Sequence, residues 1–252
     1  MSMFLSSRPV GMTKTPGCRK SLTPVKTLVL ISALFTCVQS SDMTTILHVS
    51  SATYSFLSLG DSYTIGESVH EADRWSVQLA HMLRADGEDV ANPDIIARTG
   101  WTTAELQDAI KASGNQKTYS LVSLLIGVNN QYRGQSQDRY QTEFRALLQT
   151  ATRFAGDKPA HVVVLSIPDW GASPFAAGRD KSKIAGEIDQ FNAIAREACQ
   201  TAGIAYVDIT PISRSAAGDK AQFASDGLHY SGKQMKQWAE KALPVVKELL
   251  AK

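Results

Sequence analysis

From residue 54 onward, two hydrophobic rhythms alternate. Short, nearly unbroken apolar runs lie at 54–59, 121–126, 161–167 and 204–209, with a briefer one at 94–97 around Ile95 and Ile96. Between them lie longer stretches whose apolar residues recur every three or four positions. Leu79, Met82 and Leu83 share one face of 75–85. Met235, Trp238, Ala239, Leu243 and Val246 do the same over 232–250. A strand buried on both faces needs the first pattern, and a helix with one buried face needs the second. Further helices are predicted from a cap at Thr102 or Thr103 to 112, with Glu105 near the positive end, from Asp138 to about 154, and over 181–202. Strands alternating with helices in this way imply βαβ units. The expected fold is therefore α/β: a three-layer α/β/α sandwich of flavodoxin-like type, with about five parallel strands.

Residues 1–40 differ in kind. Five basic side chains (Arg8, Lys14, Arg19, Lys20 and Lys26) precede or flank an apolar run of about a dozen residues that starts near Thr27, and no acidic residue occurs. That run has the length of a signal-peptide core and is short for a membrane span. The segment reads as a signal peptide or membrane-targeting leader, with polar residues 39–42 as the place for cleavage. Cys37, in Leu34-Phe35-Thr36-Cys37, makes a faint lipobox, so a lipid-anchored form is the second reading. Residues 41–53 read as a linker or arm, and 54–252 as the functional domain. The expected location is exported, periplasmic or secreted.

Composition narrows the classes further. The 252 residues are 43% hydrophobic and 20% charged, ordinary globular values that exclude a disordered chain or a fibre. The 26 basic and 24 acidic residues give a net +2, but the leader holds five of the basic ones. The remainder is slightly acidic, which gives no electrostatic case for nucleic acid. Contact with a membrane is expected only through the leader or a lipid substrate. Of the three cysteines, Cys18 and Cys37 lie in the leader. Cys199, inside a helical stretch, reads as a small core residue. No Cys or His spacing suggests zinc, and no phosphate or dinucleotide glycine motif follows the first strand, so neither metal nor cofactor is expected.

In parallel sheets, ligands bind beyond the C-terminal ends of the strands. Four such ends carry chemistry-bearing residues: Gly60-Asp61-Ser62, Thr99-Gly100-Trp101, Gly127-Val128-Asn129-Asn130 and Pro168-Asp169-Trp170-Gly171. Glycine permits a sharp turn after the first strand and sets Ser62 at the start of a helix. Taken alone, Gly-Asp-Ser is as readily a helix cap. Asp226-Gly227-Leu228-His229 supplies a base for a serine nucleophile, and a carboxylate three residues earlier that can fix its tautomer. Taken alone, it is a solvated loop. The Asn129 amide and the Gly100 N–H can donate to an oxyanion, although both are also ordinary turn residues.

In conjunction and in this order, these elements resemble the SGNH (GDSL-type) hydrolase family. Residues 56–63 (Phe-Leu-Ser-Leu-Gly-Asp-Ser-Tyr) correspond to its first block, Thr99-Gly100 to the second, Gly127-Val128-Asn129 to the third and Asp226 to His229 to the fifth. The resemblance spans about 54–250 and is to bacterial members of lysophospholipase or esterase type. It implies Ser62 as nucleophile, His229 as base and Asp226 as its orienting carboxylate. It also implies an oxyanion hole from the Ser62 and Gly100 N–H groups and the Asn129 side chain. Three positions depart from the family pattern: Asn130 where Asp is frequent, Tyr63 where Leu is usual, and Tyr230 where Pro is frequent.

The aromatic residues Trp101, Tyr132, Trp170 and Phe175 fall on loops expected to ring this site and are candidates for an acyl pocket. Residues 168–180 form a long glycine-containing loop of the kind that serves as a lid. Arg133 and Arg179 read as solvated surface residues, with contact to an anionic substrate group as the alternative. His48, His70, His81 and His161 have no serine partner in the motifs, and His81, on a helix, and His161, opening a strand, read as structural. The expected activity is hydrolysis of a carboxylic ester, of a small molecule or a lipid, through an acyl-enzyme on Ser62. Acyl transfer to an alcohol on the same site is the first rival, and a non-catalytic envelope ligand-binding protein the second.

Overall fold

The structure is a computed structural model and describes residues 54–251. The leader over 1–40, its Cys37 and the 41–53 linker lie outside the described residues.

Five strands form one all-parallel sheet: β1 (Phe56–Gly60), β2 (Asp94–Ala97), β3 (Leu121–Leu125), β4 (Val162–Leu165) and β5 (Ala205–Val207). Their spatial order is β2-β1-β3-β4-β5, the flavodoxin-like order. The strands are shorter than the apolar runs because the run ends continue into buried loops. Ile126, Ile167, Ile204 and Ile209 stay in the core without joining the ladder.

Among the described residues, eight α-helices accompany the sheet. Four are long: α2 (Trp75–Ala85), α5 (Gln137–Phe154), α6 (Lys181–Ala202) and α8 (Gly232–Leu250). α3 (Thr103–Ser113) is of middle length, while α1 (Ser62–Ile65), α4 (Val128–Tyr132) and α7 (Thr210–Ser215) are short. The three short ones carry too few apolar positions to show a helical period in the sequence. Right-handed crossovers put α2, which steps outward from β1 to β2, on one face. They put α3, α5 and α6, which step the other way, on the opposite face. The packing agrees: α2 lies against α8, and α5 touches both α3 and α6.

The helix starts follow capping chemistry. Thr102 caps α3 in a reciprocal capping box with Glu105, and the αL residue Gly114 ends it. Asp180 caps α6, and Ser136 caps α5. The Cys199 side chain is buried in α6, as the sequence implied, and burial pushes its thiol up to about 12.

The order of strands reverses at β1. The switch point therefore opens between the C-terminal ends of β1 and β3, where Gly60-Asp61-Ser62 and Gly127-Val128-Asn129 emerge. One buried amide braces the neighbouring edge. Asn192 on α6 accepts from the Ile167 N–H (2.8 Å) and donates to the Ile167 carbonyl (3.1 Å) and to Thr210 Oγ1 (2.9 Å). It thus satisfies both main-chain groups of a residue that has left the sheet. Asn192→Leu strips the Ile167 N–H of its partner, while the carbonyl keeps the Thr210 hydroxyl at 2.9 Å. We expect a loss of roughly 1–3 kcal/mol in urea unfolding, the cost of one orphaned buried group. A change below about 0.5 kcal/mol would mean that water takes over the lost bond.

Candidate active site

Gly60 closes β1 for want of space: a Cβ there would run into the Thr64 side chain and the Leu125 carbonyl. The tight approach, not an unusual φ, demands glycine at this position. Asp61 caps α1, and its Oδ1 accepts from the Tyr63 N–H at 3.0 Å. Ser62 is the first residue of α1, where a main-chain N–H has no acceptor within the helix.

The second loop is a turn over Arg98 to Trp101, closed by a bond from the Trp101 N–H to the Arg98 carbonyl (3.2 Å). Gly100 sits at its third position with φ +86°, as a type II turn requires of glycine. Side chains hold the turn on both sides. Thr99 Oγ1 donates to Glu67, and Arg133 donates through Nη2 to the Gly100 carbonyl and through Nη1 to Glu105 (3.1 Å). Arg133 thus braces the turn from the surface, where the sequence places it, with its side chain 45% exposed.

On the third loop, Asn129 Nδ2 donates to the Trp101 carbonyl at 2.9 Å, which spends one of the two amide protons and aims the other. The family departure at Asn130 has a local cause. Its Oδ1 accepts from the Thr103 N–H (3.1 Å), while Nδ2 donates to Thr103 Oγ1 (2.6 Å) and Gln135 Oε1 (2.8 Å). An ionised aspartate could not make the two donated bonds.

The fourth element is the loop before α8. His229 Nδ1 meets Asp226 Oδ2 at 2.7 Å, and Asp226 Oδ1 accepts the N–H groups of Leu228 and His229, both at 2.9 Å. Partial burial pushes the Asp226 carboxyl up. The donors from His229, Leu228 and Ser68 outweigh that and hold it below the usual carboxylate range. Asp226 is therefore an anion that accepts from Nδ1, which leaves Nε2 as the free, basic nitrogen.

One cavity of about 180 Å³ joins these pieces. Ser62, Tyr63, Thr99, Gly100, Val128, Asn129, Tyr132, Trp170, Phe175, Leu228 and His229 line it. The structure thus brings together Ser62, Gly100, Asn129 and His229 from four separate segments. Of the four aromatic residues proposed for the pocket, Tyr132, Trp170 and Phe175 are in the lining. Trp101 is not: its ring packs half-buried against the core, and its contribution is the carbonyl that accepts from Asn129. The lining also includes Val128 and Leu228, the apolar residues inside the third and fourth motifs, to which the sequence assigned no role.

The 168–180 segment is packed down over 168–173 and at Ala176, while 174, 175 and 177–180 are exposed. Trp170, Ser173 and Ala176 are buried. Trp170 Nε1 donates to Gln131 Oε1 (2.9 Å), and the Phe175 N–H donates to the Gly227 carbonyl (2.9 Å). The Arg179 guanidinium lies 5.0 Å from the Phe175 ring, 5.3 Å from Trp170 and 5.8 Å from Tyr132, a cation held against three aromatic faces. The described histidines His70, His81 and His161 stand outside the cavity. Among the described residues, no group of three or more His, Cys, Asp and Glu side chains is arranged to hold a metal.

The model of the GDSL-like lipase/acylhydrolase family matches residues 58–236, and the chain belongs to that family. It is accordingly a carboxylic ester hydrolase of the SGNH type. No curated protein sequence matches it significantly. Solved structures share its fold at low identity. TesA has 19% identity and a TM-score of 0.61, covering 77% of this chain and 99% of its own. The psychrotrophic esterase EstA from Pseudoalteromonas sp., in a form inhibited by monoethylphosphonate, has 16% identity and a TM-score of 0.62, covering 79% and 100%. The acetylxylan esterase Axe2 from Geobacillus stearothermophilus has 16% identity and a TM-score of 0.59, covering 77% and 94%.

Asp61 generates a pH prediction. Its Oδ2 is buried without a hydrogen-bond partner, and burial lifts the carboxyl from 3.8 to about 7 against the pull of the Tyr63 and Asp61 N–H groups. The folded state then keeps a proton that the unfolded chain releases. Its contribution to stability is whole below pH 3.8 and is lost as pH rises through about 7. Asp61→Asn keeps the cap acceptor and removes the titration. In urea denaturation from pH 4 to 8, the variant should gain on the wild type as pH rises. A constant difference across that range would show that Asp61 does not titrate there.

Proposed function

We propose that the chain hydrolyses carboxylic esters through an acyl-enzyme on Ser62. Ser62 Oγ attacks the ester carbonyl carbon. His229 Nε2 takes the hydroxyl proton and returns it to the departing alkoxide, while Asp226 holds the ring through Nδ1 and stabilises the imidazolium. The oxyanion is received by the Ser62 and Gly100 N–H groups and by the Asn129 amide proton not spent on Trp101. Water, activated by His229, then releases the acid and restores Ser62. One observation carries this reading: Ser62, Gly100, Asn129 and an Asp226-bound His229, from four distant segments, line a single cavity.

The acyl group we assign is short. A cavity of about 180 Å³ lies below the roughly 300–1,000 Å³ usual for drug-sized ligands. The finer lysophospholipase reading requires a long chain to leave the cavity over Tyr132 and Phe175. These lining rings are 49% and 40% exposed, so apolar surface for such a chain exists. Export directed by the 1–40 leader is part of the same proposal. It places hydrolysis outside the cytoplasm, and fractionation of cells expressing the full chain tests it.

Release of p-nitrophenol from esters of acetyl to palmitoyl length should peak at the short end and vanish in Ser62→Ala. An optimum at palmitoyl would favour the lysophospholipase type. Equal rates in wild type and variant would sink the serine assignment. Free acid formed without added alcohol separates hydrolysis from acyl transfer, and a phosphonate ester that inactivates the wild type but spares Ser62→Ala excludes a merely ligand-binding site. Asn129→Ala should lose about 100- to 1,000-fold in kcat, the size of one oxyanion donor. A loss under about fivefold would leave the Asn129 amide outside the oxyanion hole.

A further inference from the structure

The Asp226 carboxylate is bound by more than its histidine. Oδ1 accepts two main-chain N–H groups of its own loop. Oδ2 accepts His229 Nδ1 at 2.7 Å and Ser68 Oγ at 2.7 Å. A carboxylate offers about four lone-pair sites, so this one is saturated. Three of the donors come from 228–229, within three residues of Asp226. The fourth stands 158 residues away in sequence, on the turn that follows α1. Among these four bonds, only the one from Ser68 ties the Asp226 loop to the segment that carries Ser62.

The backbone at Ser68 is unusual. Its φ is +64°, and among the described non-glycine residues only Ser68 and Asp157 have positive φ. A serine in the left-handed region is strained relative to glycine. A turn that needed only to bend would be met by glycine at less strain, and here a hydroxyl is kept instead. The preceding residue, Glu67, accepts from Thr99 on the Gly100 turn. The 66–68 turn therefore touches both the loop of Asp226 and the loop of Gly100.

We infer that Ser68 is a positioning residue: its hydroxyl, donated to Asp226 Oδ2, holds the carboxylate in the orientation that receives the His229 Nδ1–H. This rests on the reading of Ser62, His229 and Asp226 given above. The main-chain donors fix Oδ1, but the carboxylate can still rock about that oxygen, and the Ser68 bond removes that freedom. Ser68 is also one of the donors that keep Asp226 ionised. Ser68 does not line the cavity that holds Ser62, so its effect on the reaction passes through Asp226.

Two variants separate the hydroxyl from the backbone. Ser68→Gly removes the hydroxyl and relieves the strained φ. Ser68→Ala removes the hydroxyl and keeps the strain. Both should lose roughly fivefold in kcat with KM unchanged, about one hydrogen bond's worth of barrier. The glycine variant should nonetheless be at least as stable to heat as the alanine variant. In nitrogen-15-labelled protein, the His229 Nδ1–H proton resonance should move from its wild-type position in both. A glycine variant with wild-type kcat overturns the inference, as does a resonance unmoved in both variants. If Ser62→Ala leaves hydrolysis untouched, the triad reading fails separately. The resonance then decides whether Ser68 orients the Asp226–His229 pair.

Discussion

The Asp226 carboxylate is the point on which the site closes. It stands on a short loop, joins no strand, and is still about a third exposed on its side chain. Left to itself, such a group would sample several orientations and would fix no histidine tautomer. Two main-chain bonds turn the loop on itself, and the Ala224 N–H reaches the His229 carbonyl at 2.7 Å to tighten it further. The loop is then tied outward, through Ser68 to the turn after α1 and through the Gly227 carbonyl to the Phe175 N–H. The imidazole inherits its geometry from these anchors, and the cavity takes its shape from the segments they join.

Beneath the histidine lies an aromatic floor that accounts for two departures from the family pattern together. The Tyr63 ring meets the His229 ring edge-on with centroids 5.7 Å apart, and it also contacts Tyr230 and Trp238 at 6.0 Å each. Tyr230 lies tilted against Phe223 and edge-on to Trp238, and its hydroxyl donates to the Asp169 carbonyl at 2.7 Å. A leucine at 63 would leave the underside of the imidazole thinly packed. A proline at 230 would remove both the ring and the bond to the Asp169 loop. The two tyrosines are thus one packing solution, written at sites 167 residues apart.

The oxyanion side is held by a different device. Gly100 lies on a turn, and Ser62 and Asn129 on helices of only four and five residues, elements that are mobile unless braced. Arg133 reaches back from the end of α4 to the Gly100 carbonyl and to Glu105, which is itself locked in the capping box of α3. Asn129 bonds Trp101, and Asn130 bonds Thr103. The loops after β2 and β3 are therefore cross-linked side chain by side chain. This arrangement keeps donors preorganised toward a developing charge, where reorganisation would otherwise raise the barrier.

Much of this was legible in the sequence. Unbroken apolar runs marked the buried strands because both of their faces are covered. Three- and four-residue spacing marked α2, α6 and α8 to the residue. Ser62, Gly100 and Asn129 stood beyond strand ends, where a parallel sheet presents its loops, and Asp226 and His229 just before the last helix. The sequence thus determined the fold class, the sheet, the long helices and the candidate residues. Tertiary structure alone decided which of these residues share a cavity. It turned Trp101 away from the pocket and kept only its carbonyl in service, made Arg133 a brace, packed down residues 168–173 and brought Ser68 to Asp226. The physical reason is range. Strand and helix patterns arise from neighbours a few positions apart, whereas these roles depend on partners some 30 to 160 residues away, which come together only when the sheet has closed.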